Sequence, residues 1–276
     1  MSRVPRRLGR RLTLALGGVL TGAVVFLAIG APWLTAEDPN RVNAVPRLQA
    51  PGAGRGLGSD DLGRPLWSRV VYGARLSLTI GLSVMVGVTL AGSALGLTAG
   101  FFPRADRVVM RVMDGLMAFP DVLLAIGLMA VLGPRVSNVI VALVVVYTPR
   151  MARVVRSVAL VTGETVYVDA ARALGASDAR LLWRHVLPNC LSPAVVQATF
   201  TFALAVLTEA ALGFLGVGAP PQLASWGTII SEGRLLVREA PWLTIVPGLA
   251  IVVTVVGLNL TGDGLRDYLD PRQPVS

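Results

Sequence analysis

Lysine is absent from this 276-residue sequence, and all 25 basic residues are arginines. A Walker A loop needs a lysine to reach the phosphates, so the chain cannot itself be a P-loop ATPase. Schiff-base chemistry is excluded for the same reason. One cysteine (Cys190) and one histidine (His185) cannot build a Cys/His zinc site or a disulfide framework. A Ser-His-Asp triad would have to use His185, which falls in a short arginine-flanked segment between apolar runs. Charge itself is scarce: 15% of residues are charged and 54% hydrophobic, against about 25% charged in a soluble domain. A soluble fold of this size carries far more charge on its surface. The composition is that of an integral membrane protein.

The net charge of +9 would suit a nucleic-acid partner if the arginines formed one patch. They are instead clustered between apolar spans, which is the positive-inside pattern of a membrane chain. A bilayer core about 30 Å thick needs roughly 20 apolar residues of helix, and six stretches qualify. These are Leu12 to Ala36, Leu76 to Pro103, about Gly115 to Gly133, one from near Val136 past Arg150, Val186 to Thr208, and Ala240 to Gly262. The third is interrupted by Asp121.

Arg3, Arg6, Arg7, Arg10 and Arg11 precede the first run, as in a signal peptide. The run exceeds the roughly 7–15 residues of a signal h-region, and no convincing A-x-A site follows. A retained first helix is therefore expected. Six helices with the N-terminus inside place sixteen of the 25 arginines on the cytosolic side, and six of the others in one long external loop. The inverted topology reverses this, so the pattern predicts N-in and C-in. Gly92, Gly96 and Gly100, spaced i, i+4, i+8, form a small-residue stripe that lets helices approach closely in lipid. Packing within the subunit and packing between subunits both fit that stripe. Trp67, Trp226 and Trp242 suit interfacial positions.

The expected cytosolic segment from Thr162 to Pro188 is the most informative stretch. Tyr167 to Leu174 reads as a short helix, and Gly175 supplies a residue that ends helices in a left-handed conformation. Ser177 can cap a second helix with Asp178 in its first turn, running through Leu181 and Val186 to Leu187-Pro188. A surface-lying amphipathic pair with no partner is the bland alternative.

In this loop the residues resemble a family. Asp169-Ala170-Ala171, three residues, Gly175, nine residues, His185, Val186, Leu187-Pro188 is similar to the EAA loop of ABC-type importer permeases. Asp169 stands where that pattern has Glu, and His185 where it often has Ile. The ending Arg184 to Asn189 resembles the dipeptide/oligopeptide/nickel branch. Leu57 to Leu78, Glu209 to Gly218 with Ser225-Trp226-Gly227, and Asn259 to Pro271 resemble further segments of that branch, in order, and more closely its second (C-type) permease.

The resemblance implies an all-α integral membrane fold of the type I ABC importer permease class, with six transmembrane helices in a bacterial or archaeal cytoplasmic membrane. It implies a tail, first helix and external segment over 1–73, a permease core over 74–263 and a cytosolic tail over 264–276. The implied function is import of di- or oligopeptides, with nickel or another small solute as the alternative and a secondary transporter as a more distant one. Implied partners are a second permease subunit, two ATPase subunits, an extracytoplasmic solute-binding protein and membrane lipid, with no nucleic acid. ATP and Mg would belong to the ATPases; this chain would hold no cofactor, no metal and no catalytic residue. Asp169, Ala170, Ala171, Leu174, Gly175, His185, Leu187 and Pro188 are the implied ATPase-docking loop. Charges inside spans are functional candidates by default. Asp121 is a candidate for the pathway. Glu209, near the external end of the fifth helix, reads either as a substrate contact or as a helix-end or inter-subunit partner. Asp114 is expected to pair locally with Arg111 or Arg107.

Overall fold

The computed structural model describes residues 6–52 and 56–269, with side chains from residue 12 onward. Arg3, Arg55 and Arg272 of the basic count, and Asp270 and Pro271 of the C-terminal segment, lie outside the described residues. Among the described residues every regular element is a helix. Five helices are long and apolar enough to cross a membrane: α1 (Arg6–Leu34), α2 (Leu66–Phe101), α5 (Val136–Gly163), α8 (Leu187–Phe214, with the short turns before it) and α10 (Trp242–Leu269). The shorter helices are α3 (Pro103–Met117), α4 (Asp121–Leu132), α6 (Val166–Ala173), α7 (Asp178–Leu181) and α9 (Trp226–Gly233). Among the described residues the only β pairing is two isolated bridges, Gly52 with Gly56 and Ser59 with Pro65.

Close approach at glycines fixes the directions of the helices. A Cβ on Gly17 of α1 would stand 2.5 Å from the Thr261 nitrogen of α10, and one on Gly264 would stand 2.7 Å from Leu14. The two helices therefore run antiparallel, and the start of α1 lies beside the end of α10. On α2, Gly92 faces Met151, Gly96 faces Ala152 and Gly100 faces Ala159, so α2 and α5 run parallel. The glycine stripe thus serves packing inside this chain. α8 runs against α2, with Ser77 beside Glu209. One end of the bundle, here the loop end, gathers the start of α1, the ends of α2, α5 and α10, and the α6–α7 connection. The other, the far end, carries the 35–65 segment and α9.

The third expected span, Gly115 to Gly133, is not one helix. It is broken between Met117 and Asp121, and α3 and α4 meet at 93°. Pro120 is the cause: it lacks an N–H, and its ring disfavours a helical conformation at Phe119. Pro120 itself sits at φ −57°, ψ 133°. Pro149 and Pro247, in contrast, lie inside α5 and α10. α2 begins ten residues before the charge-free run starting at Leu76, for a reason given by Arg69 below.

Two apolar clusters hold the bundle. One joins α2, α4, α5 and α8 around Ile80, Ala125, Leu143, Met151, Val186 and Leu212. The other joins α1, α2, α9 and α10 around Val24, Leu66, Trp226, Ile229 and Leu243. Trp226 is 1% exposed and donates its indole N–H to the Val70 carbonyl at 3.0 Å. It is a core residue and not the interfacial anchor expected of it. Trp67 remains partly exposed, donating to Leu34 O at 3.4 Å, and Trp242 donates to Ser59 O at 3.1 Å.

Candidate functional site

The connection between α5 and α8 is built as a two-helix loop. After α5 the Thr165 hydroxyl donates to Thr162 O at 2.6 Å, and α6 begins at Val166. Asp169 lies in its first turn, where a carboxylate complements the positive helix end. It accepts from Arg172 Nη1 at 3.0 Å, with both side chains more than half exposed, a pairing worth a few tenths of a kcal/mol. α6 then closes with a reciprocal pair of backbone bonds, Gly175 N to Arg172 O at 3.0 Å and Ala176 N to Ala171 O at 3.1 Å. Gly175 sits at φ +84°. This is the Schellman geometry, which requires a left-handed residue and therefore favours glycine. Ser177 caps α7, its Oγ accepting from Arg180 N at 3.4 Å.

The expected second loop helix does not stop at Leu187-Pro188. After α7 the chain makes a π-turn over Leu182–Val186 and runs on directly into α8. Pro188 explains the turn: inside an α-helix its ring would collide with the carbonyl four residues back. The wider π register, with Leu187 N donating to Leu182 O, makes room for it.

The residues of this segment divide into a base and a tip. At the base Val168, Leu181 and Val186 are fully buried, and Leu187 packs against the core. Asn189 Nδ2 donates to Tyr167 Oη at 3.1 Å and to His185 O at 2.6 Å, and the His185 ring lies 6.0 Å from that of Tyr167. His185, Leu187 and Pro188 therefore hold the loop to α8. At the tip, Asp169, Ala170, Leu174 and Gly175 are exposed, and Ala171 is half-buried. Leu174 is 89% exposed, Val166 85% and Trp183 69%. These are large apolar groups left uncovered beyond the end of a membrane-length helix. Sequence reasoning named Leu174 but missed Val166 and Trp183. An apolar residue amid arginines, as in Arg180-Leu-Leu-Trp183-Arg184, was the available signal for Trp183.

A second feature was not legible at all. Arg150, Arg153 and Arg156 recur every three residues on α5 and take their partners from the α3–α4 segment in reverse order. Arg150 Nη2 meets Asp121 Oδ2 at 2.6 Å, and Arg153 Nη2 meets Asp114 Oδ1 at 2.6 Å. Arg156 grips Asp106 with Nε and Nη2, the latter bond 2.6 Å long. Asp114 thus pairs across to α5 and not with Arg107 or Arg111 on its own helix. The latter would have been the local choice, but the bend at Pro120 lays α3 across the end of α5. Arg150 also stacks its guanidinium over Tyr147, 5.7 Å from the ring centroid.

Glu209 is placed differently from Asp121. It is fully buried within the subunit, with Oε2 accepting from Ser77 Oγ at 2.8 Å. At the far end Asp60, Arg64, Arg69 and Glu232 form a closed charge cluster. Asp60 Oδ2 meets Arg69 Nη1 and Arg64 Nε, each at 2.6 Å, and Arg64 Nη2 reaches Glu232 Oε2 at 2.8 Å. Arg69 also contacts Glu232. Asp60 and Arg69 are 1% exposed. This neutralisation lets α2 extend through Arg69 while that residue stays buried. Among the described residues no group of His, Cys, Asp and Glu side chains is arranged to hold a metal ion.

Comparison with known proteins agrees with this fold. Over 75% of this chain the fold matches 98% of a chain of the MetNI methionine ABC transporter in an inward-facing conformation, with a TM-score of 0.63 at 21% identity. A putative peptide transport system permease protein of Brucella suis biovar 1 (strain 1330) is 52% identical over 98% of this chain and 91% of its own length. The di/tripeptide transport system permease protein of Pseudomonas aeruginosa (strain UCBPP-PA14) is 44% identical over 94% of this chain and 88% of its own. The dipeptide transport system permease protein of Alkalihalophilus pseudofirmus is 42% identical over 93% and 84%. Residues 83–274 match the family model described as the binding-protein-dependent transport system inner membrane component. The match takes in the end of α2, the charge ladder, the two-helix loop and α8 through α10, and on it and the 52% identity the chain is a member of that family, a multi-pass inner-membrane permease of a bacterial ABC transport system.

Proposed function

We propose that this chain is one permease subunit of an importer of di- or oligopeptides, and that the α6–α7 loop is where ATPase subunits dock. The observation that carries the docking role is Leu174. It is 89% exposed at the tip of a loop whose base is tied down by Tyr167, His185 and Asn189. A rigidly based helix with an uncovered apolar tip is suited to seat in a groove on another protein. Asp169, Ala170, Ala171 and Gly175 shape that tip. The peptide substrate is supported by three relatives at 42–52% identity, all of them named as permeases of peptide transport systems.

In this reading the loop end is cytosolic, in keeping with the arginine distribution, and the start of α1 and the end of α10 lie there. ATP hydrolysis resides on the docked subunits, because a chain without lysine has no Walker A loop of its own. A second permease completes the route, and an extracytoplasmic solute-binding protein delivers the peptide to the far end.

The test is purification of the tagged chain in mild detergent, with its native operon partners, followed by reconstitution. A complex with a second permease and ATPase subunits, peptide-stimulated hydrolysis and ATP-dependent dipeptide uptake are expected. Leu174→Asp should leave insertion intact and abolish uptake. Recovery of this chain without any ATPase in several detergents, or wild-type uptake by Leu174→Asp, would overturn the reading.

A further inference from the structure

The Asp121–Arg150 pair is placed where lipid cannot cover it. Arg150 is fourteen residues into α5, about 21 Å along the helix from its far-end start. With the hydrocarbon core, about 30 Å thick, beginning at that start, it leaves the cytosolic count given above and falls inside the core. Its side chain is nevertheless 38% exposed, and that of Asp121 is 32% exposed. A central charge against lipid costs roughly 2.5–3.5 kcal/mol on insertion scales.

An independent observation on the same face says the same. The backbone break that runs from Ala118 through Pro120 is exposed and adjoins Asp121. Non-helical backbone at membrane depth persists only where protein buries it or water bathes it. α4, with 12 residues, is about 18 Å long and cannot cross by itself; taken with α3 as one bent span, it puts the break within the membrane. Glu209, the other intramembrane acid, is fully buried and offers no such surface.

We propose that the face carrying Ala118, Asp121 and Arg150 is the wall of the water-filled substrate route, and that this pair engages the two charged termini of a zwitterionic peptide. Asp121 takes the ammonium group and Arg150 the carboxylate, for which its planar fork is suited. The proposal rests on the peptide reading above. The exchange suits passage better than storage. With the route empty the two side chains satisfy each other at 2.6 Å, and Tyr147 steadies Arg150 from below. An arriving peptide replaces one internal ion pair by two external ones, and the internal pair re-forms as it leaves. A route needs sites that bind strongly enough to admit a solute and weakly enough to release it.

Two measurements on the assembled transporter in proteoliposomes test this. In a Cys190→Ser background, Ala118→Cys, which leaves the pair intact, and Arg150→Cys should react with a charged methanethiosulfonate reagent. Val252→Cys, exposed on α10 amid apolar neighbours, should not. Uptake of Ala-Ala is then compared with uptake of its N-acetylated and C-amidated forms, using the same binding protein throughout. Arg150→Gln should lower the preference for a free carboxylate, and Asp121→Asn that for a free amine, each by about tenfold. No labelling at position 118 or 150 overturns the water-filled wall. Wild-type preferences in both charge variants overturn the terminus-binding role. If the wild-type complex takes up no peptide at all, the peptide reading fails, while the labelling pattern still decides the wall.

Discussion

Gly96 of α2 lies so close to Ala152 of α5 that a Cβ on the glycine would stand 2.5 Å from the alanine's carbonyl oxygen. No rotamer relieves a clash with backbone, so the helices would have to part. Gly96→Ala should destabilise the chain by about 1–3 kcal/mol, the usual cost of overpacking. Gly18→Ala on α1, where nothing lies within 4 Å, should not. Thermal unfolding in detergent, followed by intrinsic tryptophan fluorescence, separates the two; equal midpoints would contradict the packing account.

Gly175 poses the opposite case, with open space around it but φ at +84°. A Cβ there costs about 1–2 kcal/mol of local backbone strain. The loop should rearrange and the rest of the bundle should stand. Gly175→Val is therefore expected to keep the wild-type unfolding midpoint while ATP-driven uptake falls. Retained uptake would show that the left-handed turn is dispensable.

Asp60→Asn tests the far-end cluster. It withdraws one charge from Arg64 and Arg69, leaving both guanidinium groups to Glu232 alone. Breaking a buried pair typically costs about 3–5 kcal/mol; the remaining carboxylate should hold the loss near the lower figure. The variant should also expose the 59–69 segment to limited proteolysis. An unchanged cleavage pattern and midpoint would show that the cluster does not hold this segment.

Tyr147 and Thr208 share a buried hydroxyl–hydroxyl bond of 2.6 Å between α5 and α8. Tyr147→Phe should cost about 1 kcal/mol, as one hydrogen bond does when its partner stays buried. A double-mutant cycle with Thr208→Val measures the coupling, which is expected to be positive and close to that value; additive losses would place the energy elsewhere.

Cys190 is 1% exposed and packed against α5, with its sulfur 3.8 Å from Val155 O. A maleimide should leave it unmodified in the folded protein and label it fully after denaturation in SDS. Rapid labelling in the folded state would mean that α8 separates from α5.

Much of the fold could be read from residue pattern because lipid punishes charge in one dimension along the chain. Five of six spans, the two-helix loop, the Gly175 turn and the Ser177 cap all follow from local chemistry. What was hidden depends on partners far away in sequence. Arg75 bounds the apolar run at Leu76 on paper, but α2 continues back past it through Arg69, which Glu232, 163 residues later, neutralises inside the bundle. The Asp106–Arg156 grip spans 50 residues. Asp114 lies nearer in sequence to Arg111 than to Arg153, yet the turn at Pro120 decides between them. Pro120 itself was visible, and its consequence was not: a proline can kink, end or merely decorate a helix, as Pro149 and Pro247 show within the same chain.

The π-turn at Leu182–Val186 has a mechanical consequence. Because it joins α7 to α8 without interruption, Asp178 to Phe214 is one rod of 37 residues, about 55 Å from end to end. Pivoting such a rod by 5° about its loop end carries Phe214 through about 5 Å. A displacement too small to break any hydrogen bond at Tyr167 or Asn189 is thereby magnified at the opposite surface, where Glu209 of the same rod meets Ser77 of α2.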